Sequence, residues 1–323
     1  EGATASTCST DHLTATNVSR TIAPASVQPL ESRDRCRAIH GRTSRTGTIG
    51  RRSAMMTTMS LRVMTWNLWW HFGPWQERQP LLLDTIRRAD PDVLCLQEVW
   101  SDEDDDQLDL IADEFEMYAV RTDPVFYDGQ SFGNAVLSRW PTSRLADERL
   151  PRADGSIGHR RVVAGAVDTP WGRWPVASTH LDHRFDRSAD RSAQIRHLMA
   201  SALGWRGEPA TDLPLIVGAD LNAVPDTDEI RMATGRTPGV DGIVFSDVWE
   251  QVGDGPGHTW VRANPYSEVS AWPDRRIDYL LVSWPRPKPT GNPIRAWMTG
   301  RPQADGELWP SDHLALVADI VTP

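Results

Sequence analysis

Short apolar runs and longer amphipathic segments alternate along the chain from about residue 61 onward. The short runs end at a glycine, a proline or a polar residue, a pattern that predicts strands. The longer segments place apolar residues three or four positions apart, which predicts helices. Strands are expected at 61–67, 92–97, 133–139, 161–168, 173–179, 213–222, 276–282 and 314–321. Helices are expected at 76–89, 102–115, 187–205 and 227–234.

One of these strands carries two polar residues at its end. The apolar run 213–217 continues into Gly218-Ala219-Asp220-Leu221-Asn222. Because residues i and i+2 of an extended strand point to the same side, Asp220 and Asn222 are expected together at the lip of a sheet. A carboxylate and a carboxamide so placed can orient a water or stabilise a transition state. The alternative is an ordinary strand-end turn, in which Asp and Asn are common.

Polar residues also follow other apolar strands, where rigid elements can hold catalytic groups at one rim. The oxygen donors Asn67, Glu98 and Asp312 suit a hard cation such as Mg²⁺. Clustered thiols or imidazoles, which a structural zinc site needs, are missing from the pattern. Taken singly, each residue has a structural alternative, such as a surface His, a turn Asn or a helix-capping Glu. The complete set is Asn67, Glu98, His180, Asp220, Asn222, Asp278, Asp312 and His313.

Seven short motifs occur in an order that is specific as a set, although each is weak alone. They are Thr65-Trp66-Asn67, Leu96-Gln97-Glu98, Gly133-Asn134-Ala135-Val136-Leu137-Ser138, Thr179-His180-Leu181, Gly218-Ala219-Asp220-Leu221-Asn222, Arg276-Ile277-Asp278-Tyr279 and Ser311-Asp312-His313. Over residues 61–321 the chain resembles the endonuclease/exonuclease/phosphatase superfamily, which includes nucleases, sphingomyelinases and inositol polyphosphate phosphatases. One departure is the extra residue Ala219 before Asp220, which leaves the Asp-x-Asn spacing intact.

The resemblance implies an α/β fold, classed by some schemes as α+β: a four-layer α/β/β/α sandwich of two packed mixed sheets. It implies that Asn67, Glu98 and Asp312 surround Mg²⁺, for which Mn²⁺ can substitute. It also implies that Asp220, with Asn222, orients or deprotonates the attacking water. His313, held by Asp278, would contact the scissile phosphate, and His180 would stabilise the charge that builds on it. Metal-lowered water pKa and precise positioning would then drive the reaction.

Composition limits the partners. The net charge is −10, whereas residues 1–60 hold eight Arg and four acidic residues, so the body is acidic. An acidic body disfavours a nucleic-acid partner without a local basic patch. The three cysteines show no metal spacing, and Cys95, inside an apolar run, is expected to be a buried thiol. No stretch is long and apolar enough for a membrane span, and we expect a cytoplasmic monomer with no recognised signal peptide.

Residues 1–58 differ from the rest in being rich in Ser, Thr, Ala and Arg and poor in apolar periodicity. This composition predicts a disordered or non-native segment, followed by a catalytic domain at 59–323. The pair Arg51-Arg52 suggests a twin-arginine signal, but no apolar core follows it. One hypothesis is that the natural protein starts at Met55, Met56 or Met59.

The leading functional hypothesis is a Mg²⁺-dependent phosphoester hydrolase, a phosphodiesterase or phosphomonoesterase with an unassigned substrate. The alternatives are a nuclease acting on DNA or RNA and a non-catalytic binding protein that keeps the fold. Trp69, Trp70, Trp75 and Trp272 are expected to be exposed and to line the site, where aromatic rings could stack on bases or pack on a lipid. Arg160 and Arg161 could reach a second phosphate, or could be surface residues at a strand edge.

Overall fold

The computed structural model describes residues 60–127, 130–267, 272–302 and 308–323. They belong to one compact unit, Met55–Pro323. The predicted N-terminal segment 1–58 lies outside the described residues, and the domain boundary at residue 59 therefore remains a prediction.

The described strands form two sheets, each with one parallel pair near its centre and antiparallel neighbours. The first sheet has the order β12-β13-β1-β2-β5-β3, with β4 also paired to β5, and the second has the order β10-β11-β9-β8-β7-β6. The strands are β1 (Ser60–Asn67), β2 (Val93–Ser101), β3 (Tyr118–Arg121), β4 (Val125–Tyr127), β5 (Gln130–Ser138), β6 (Thr142–Pro151), β7 (Ile157–Thr169), β8 (Gly172–His180), β9 (Ile216–Asp220), β10 (Val244–Asp247), β11 (Asp278–Trp284), β12 (Pro293–Thr299) and β13 (Ala315–Val321).

The four longer helices cover the outer faces of the two sheets, the shortest helix packs with the apolar cluster between the sheets, and three apolar layers hold the four layers together. Strand β1 shows the reason: Leu61 and Val63 pack between the sheets, whereas Met64 and Trp66 pack under helices of the first sheet. A strand buried on both faces reads as a nearly continuous apolar run. The helices are α1 (Trp75–Ala89), α2 (Gln107–Phe115), α3 (Ser188–Trp205), α4 (Asp228–Ala233) and α5 (Val248–Val252). The predicted four-layer sandwich of two mixed sheets is confirmed.

The topology brings distant residues to one rim. The crossover β1-α1-β2 makes a parallel pair, so the ends of β1 and β2 share one edge of the first sheet. The crossover β8-α3-β9 does the same in the second sheet and places His180 beside Asp220. The antiparallel strands β13 and β11 start at this edge, so Asp278 pairs with Asp220 in register. The rim therefore collects strand ends and strand starts.

Several predicted boundaries were wrong. Strand β2 does not close at Glu98 but continues to Ser101 through an irregularity between Leu96 and Val99. The acidic residues 102–106 precede α2 rather than opening it, and the side chain of Asp106 caps its first backbone N–H groups. Strands β6 and β12 were missed because almost all of their side chains are exposed or half-buried and give no apolar run. Within the described part of the chain, none of the helices has the length and apolar character needed to cross a bilayer.

Candidate active site

All eight strand-end residues converge at the shared rim of the two sheets, where contacts link one to the next. Asn67 bridges the sheets: its Nδ2 donates to Oδ2 of Asp220 at 3.0 Å. Its Oδ1 accepts the backbone N–H of Trp69 at 2.9 Å. One amide thus joins the end of β1 to the end of β9 and holds the turn that follows β1. The NH₂ group of Asn67 orients Asp220, while the amide oxygen of Asn67 faces the first sheet.

Asn222 reaches the cluster by a turn and not by the extended strand that the sequence predicts. Strand β9 ends at Asp220, and Asn222 has φ +50°, in the left-handed region. Oδ1 of Asp220 accepts the backbone N–H of Asn222 at 3.0 Å, which closes this turn. Asp and Asn favour such turns because their side chains bond the nearby backbone. The alternative of a strand-end turn is therefore correct for the backbone at Asn222, and its role in the site remains a prediction.

The turn aims the Asn222 amide at His180. Nδ2 of Asn222 lies 2.9 Å from Nε2 of His180, and Nε2 also lies 3.3 Å from Oδ2 of Asp220. Since an amide NH₂ only donates, Nε2 accepts and the ring proton resides on Nδ1. Burial, followed by the charge of Arg160, lowers the pKa of His180 well below its usual value. His180 is therefore a neutral imidazole with Nδ1 directed at Glu98, 3.7 Å away.

His313 is in the opposite electrostatic state. Its Nδ1 donates to Oδ2 of Asp278 at 2.8 Å, and its Nε2 lies 3.8 Å from Oδ2 of Asp220. Burial alone would lower the pKa of His313, but the carboxylates of Asp278, Asp312 and Asp220 raise it well above its usual value. The two imidazoles of the site thus differ in charge because of their neighbours. His313 is a cation whose Nε2 lies between the carboxyl groups of Asp220 and Asp312, at 3.8 Å and 3.9 Å.

The backbone around His313 and Asp278 is fixed by hydroxyl groups. Oγ of Ser311 donates to the carbonyl of Asn67 at 2.7 Å and accepts the N–H of His313 at 3.1 Å. Oγ1 of Thr259 accepts the N–H of Asp278 at 3.2 Å. Ser311 thereby ties the start of β13 to the end of β1. Neither hydroxyl was singled out from the sequence, although Ser311 lies within a quoted motif.

Glu98 owes its position to the irregularity in β2. It has φ +56°, which is costly for a residue with a side chain. A bulge puts two consecutive residues against one partner residue and re-aims a side chain, so Gln97 and Glu98 can both serve the site edge. Strict alternation would place them on opposite faces. The strain at Glu98 is the kind that functional sites retain.

Gln97 was missed by sequence reasoning although it precedes Glu98. It is fully buried between the sheets, and its Nε2 donates to Oγ of Ser178 at 3.0 Å. The same atom lies 3.3 Å from Oγ1 of Thr65 and from the carbonyl oxygen of Gly218. Gln97 therefore links both sheets directly beneath the site. A buried polar group that is hydrogen-bonded from several sides fixes the sheets in one relative position.

Four carboxyl groups give the site an excess of negative charge. Asp220 and Asp278 are almost fully buried, whereas the side chains of Glu98 and Asp312 keep 14% and 16% of their exposure. Burial and the charge of Asp278 raise the pKa of Asp220 to about 6. Burial also raises the pKa of Asp312 to about 6, and it raises the pKa of Glu98. Crowded carboxylates of this kind call for a cation.

The donor set fits a divalent cation. Oε2 of Glu98 is buried without a hydrogen-bond partner in the described residues, as is Oδ1 of Asp278. Oxygen donors of this type are those that Mg²⁺ accepts. One ligand atom from each of Asp220, Asp278 and His313 also falls within 4.8 Å of the others. In that second group the hydrogen bond to Asp278 occupies Nδ1 of His313, so the oxygen set of Asn67, Glu98 and Asp312 suits a hard cation better.

Arg78 is a further residue that the sequence did not reveal. It lies on α1, is 1% exposed, and donates only to backbone carbonyls, those of Leu68, Trp69, Trp70, Phe72 and Pro310. Four of these carbonyls belong to the loop after Asn67, and the fifth belongs to the loop before Asp312. Burial lowers the pKa of Arg78 to about 10. Arg78 thus joins the two loops that carry predicted metal ligands.

The expectations for the aromatic residues were only partly right. Trp70 is buried, and Trp69 is half-buried against Tyr266, with ring centroids 4.3 Å apart. Trp75 is also half-buried. Trp272 is 46% exposed and stacks on Phe185 at 4.3 Å. The rim is therefore less aromatic than the tryptophan count suggests.

The two arginines on β7 were expected at a strand edge or near a second phosphate. Arg161 forms an ion pair with Asp147, with Nη2 2.7 Å from Oδ2. Arg160, the next residue along the strand, is 6% exposed and lies beside His180 in a shared pocket. Neither side chain is the freely exposed surface arginine of the alternative interpretation. Both residues line the pocket beside His180, but the guanidinium of Arg161 is engaged by Asp147.

Comparison with known proteins gives one family. Residues 64–313 match the Endonuclease/Exonuclease/phosphatase family. The chain is 27% identical over 231 residues to Protein angel of Drosophila melanogaster, an alignment that covers 66% of this chain and 60% of that protein. The chain thus spans about three fifths of the length of this curated relative.

Solved structures share the fold at low sequence identity. The human Nocturnin catalytic domain with a bound sulfate anion has a TM-score of 0.63 at 23% identity, covering 82% of this chain and 94% of that one. D. rerio TDP2, complexed with a single-strand DNA product, has a TM-score of 0.64 at 18% identity, with coverage of 81% and 99%. An endonuclease/exonuclease/phosphatase from Beutenbergia cavernae has a TM-score of 0.59 at 24% identity, with coverage of 81% and 72%. These likenesses support the four-layer fold.

Proposed function

Because this chain belongs to the endonuclease/exonuclease/phosphatase family, whose members are phosphoester hydrolases, we propose that it is a metal-dependent phosphoester hydrolase. The observation that carries the proposal is the convergence of four carboxyl groups and two imidazoles at one rim. The single positive charge of His313 does not balance the four carboxyl groups of this array. An anionic phosphoester could approach it only with a cation present. The cation is Mg²⁺ in this proposal, and Mn²⁺ can replace it.

The proposed cation ligands are Asn67, Glu98 and Asp312. Glu98 and Asp312 keep some exposure, and Asn67 presents its amide at the junction of the sheets. Few protein ligands leave room for water in the coordination sphere, as Mg²⁺ prefers. A bound divalent cation would supply Lewis acidity and lower the pKa of a coordinated water. The unpartnered Oε2 of Glu98 supports this role.

The proposed water-activating unit is Asp220 with Asn222 and His180. The raised pKa of Asp220, about 6, places this carboxyl group near the range in which a general base works at neutral pH. Asn67 and the backbone N–H of Asn222 fix the two carboxylate oxygens. In the reaction, the water oxygen attacks phosphorus, its proton passes to Asp220, and the phosphorus–oxygen bond to the leaving group breaks. His180 provides a neutral donor at Nδ1 for the charge that develops on the phosphoryl oxygens.

The proposed phosphate contact on the other side is His313. Its ring is cationic, and Asp278 fixes its orientation through Nδ1. This leaves Nε2–H to donate to a phosphoryl oxygen or to the departing oxygen. A carboxylate that holds an imidazole in one orientation is a common way to prepare it for catalysis. Asp278 acts through His313 and is a positioning residue.

The direct test is hydrolysis of bis-p-nitrophenyl phosphate with added Mg²⁺ or Mn²⁺ and with EDTA. We expect activity that needs the metal and that Asp220→Ala abolishes. Asp226→Ala is the matched control, because Asp226 lies six residues further on and is exposed. Equal activity of the Asp220→Ala and Asp226→Ala proteins would contradict the assignment of Asp220. A folded wild-type protein without metal-dependent activity on any ester would favour the alternative of a non-catalytic binding protein.

The substrate is a phosphoester whose identity needs a panel. Single-stranded and duplex DNA, RNA, phosphoinositides, sphingomyelin and small diesters cover the classes that the fold supports. The acidic body disfavours a long nucleic acid, since a phosphate backbone needs basic contacts. Selective turnover of DNA or RNA would establish the nuclease alternative instead. A monomeric, cytoplasmic protein remains our expectation.

A further inference from the structure

Arg160 is a buried cation whose hydrogen bonds are incomplete. Its side chain is 6% exposed, and both Nε and Nη1 lack a partner among the described residues. Burial lowers its pKa, while the charges of Glu98 and Asp220 partly compensate. Neither of these carboxylates bonds to it in the described structure. Burying a guanidinium whose donors are only partly paired is unfavourable, so such a group is expected to meet an anion.

The surroundings of Arg160 form a built site. Its Nη2 donates to Nδ1 of His183 at 3.0 Å. Because Nδ1 accepts, the proton of the neutral His183 ring resides on Nε2, and this exposed residue can donate a second hydrogen bond. His159 lines the same pocket. Arg161 lines it too, but its guanidinium is already paired with Asp147, so Arg160 is the arginine of this pocket with donors to spare.

This basic group adjoins the acidic cluster at His180. His180 contacts Asp220 through Nε2 and also lines the pocket at Arg160. Thr122, Phe132 and Asn134 line both this narrow pocket and an adjoining pocket of about 340 Å³. The guanidinium lies 5.9 Å from the centroid of the Phe132 ring. The adjoining pocket therefore offers space, next to the narrow pocket at Arg160, for a substrate group other than the one under attack.

We propose that Arg160, assisted by His183, binds a second phosphate group of the substrate, one that is not cleaved. The inference rests on the proposed function only in its assignment of the scissile phosphate. It narrows the substrate to compounds with two phosphate groups. Arginine suits this task because its planar guanidinium matches phosphate oxygens and stays charged. The unpartnered Nε and Nη1 are the atoms that would donate.

The first experiment measures anion binding without catalysis. Isothermal titration calorimetry with inorganic phosphate and pyrophosphate, in EDTA, compares the wild-type protein with Arg160→Gln and Arg161→Gln. Arg161 is the matched control because it is adjacent on the strand and already paired with Asp147. We expect Arg160→Gln to weaken pyrophosphate binding at least tenfold and Arg161→Gln to leave it unchanged. Equal binding by all three proteins, or none by the wild type, would overturn the proposal.

The second experiment separates a second phosphate from the scissile one. The substrates are thymidine 5′-(p-nitrophenyl phosphate) and the same compound with a 3′-phosphate. We expect the wild type to prefer the bisphosphate in kcat/KM and Arg160→Gln to lose that preference. Equal losses on both substrates would instead place Arg160 on the scissile phosphate. If the wild type cleaves neither ester, the proposed function fails, and the calorimetry still decides whether Arg160 binds an anion.

A folding control accompanies both experiments. Thermal unfolding of each variant shows whether Arg160→Gln keeps the native fold. Should it unfold, Arg160→Lys retains the charge but loses the planar pair of donors. We then expect an intermediate loss of pyrophosphate affinity. Affinity equal to that of the wild type would overturn the role of the guanidinium.

Discussion

Nδ1 of His313 lies 2.8 Å from Oδ2 of Asp278, and both side chains are buried. The two residues come from different strands, 35 positions apart, so only the sheet topology brings them together. The contact fixes the ring and leaves Nε2 directed toward Asp220, 3.8 Å away. If the two residues act as one unit, the losses of activity caused by replacing each of them should not add up in the double variant.

We therefore expect Asp278→Asn to lose much of the activity that His313→Ala loses. The loss in kcat should be on the order of 10²-fold or more, as for a misoriented acid–base or electrostatic group. The double variant should be little worse than the worse single variant, because residues of one unit show such non-additivity. Melting temperature and kcat are measured on all three. Fully additive losses would show that the residues act independently.

Replacement of Glu98 by Gln tests the cation site. A carboxylate contributes charge that an amide cannot replace at a hydrated cation. We expect Glu98→Gln to remain folded, to lose at least about tenfold in Mn²⁺ affinity by calorimetry, and to need more Mg²⁺ for turnover. Glu148→Gln is the control, since Glu148 bonds His197 and Ser201 away from the rim. Near-native turnover of Glu98→Gln at limiting Mg²⁺ would refute the assignment.

Arg78 is expected to matter for stability as well as activity. Arg78→Gln removes donors from five backbone carbonyls, and unsatisfied buried carbonyls cost about 1–3 kcal/mol each. A fall in unfolding free energy of at least about 3 kcal/mol should follow. Arg88→Gln, on the same helix, removes only an exposed pair with Asp84 and should change stability by less than about 1 kcal/mol. Urea denaturation compares the two. Equal effects would mean that the carbonyls find other donors.

Two glycines should respond oppositely to alanine. A Cβ at Gly218 would lie 2.3 Å from Cβ of Cys95 on the facing sheet, so Gly218→Ala must push the sheets apart beneath the site. We expect a loss of about 1–3 kcal/mol or more, as for other overpacked cores. Gly204, on helix α3, has open space around its Cβ position, so Gly204→Ala should gain about 0.5–1 kcal/mol. Urea midpoints measure both. A neutral Gly218→Ala would indicate that the sheets can move apart freely.

Cys95 illustrates a prediction that needed little tertiary information. Its apolar neighbours predict a buried thiol, and the structure places it, fully buried, between the sheets. Burial raises the pKa of this thiol to about 12. The family resemblance and the four-layer fold were likewise predicted and confirmed, because strand and helix periods are local properties of the chain.

The sequence by itself placed Asn67, Asp220 and His313 near the ends or starts of strands, because apolar periodicity stops where a strand leaves the core. It predicted the same for Glu98, although β2 continues past it to Ser101. The sequence did not show how the side chains of these residues are oriented. The positive φ of Glu98 and the turn at Asn222 arise where site contacts outweigh the local preference for an extended backbone. Periodicity cannot report such a balance.

The tertiary structure alone revealed the contacts of Gln97 and Arg78, and it distinguished the incompletely paired Arg160 from Arg161, both of which the sequence offers for a second phosphate. In the sequence Gln97 and Arg78 are ordinary polar residues, since nothing local tells a buried side chain from an exposed one at these positions. Their burial depends on partners far along the chain, such as Gly218 for Gln97 and Pro310 for Arg78. Hydrogen bonds to distant backbone compensate for burying a polar group only after both sheets have packed. The sequence determined which chemistry meets at the rim, and packing determined how it is held there.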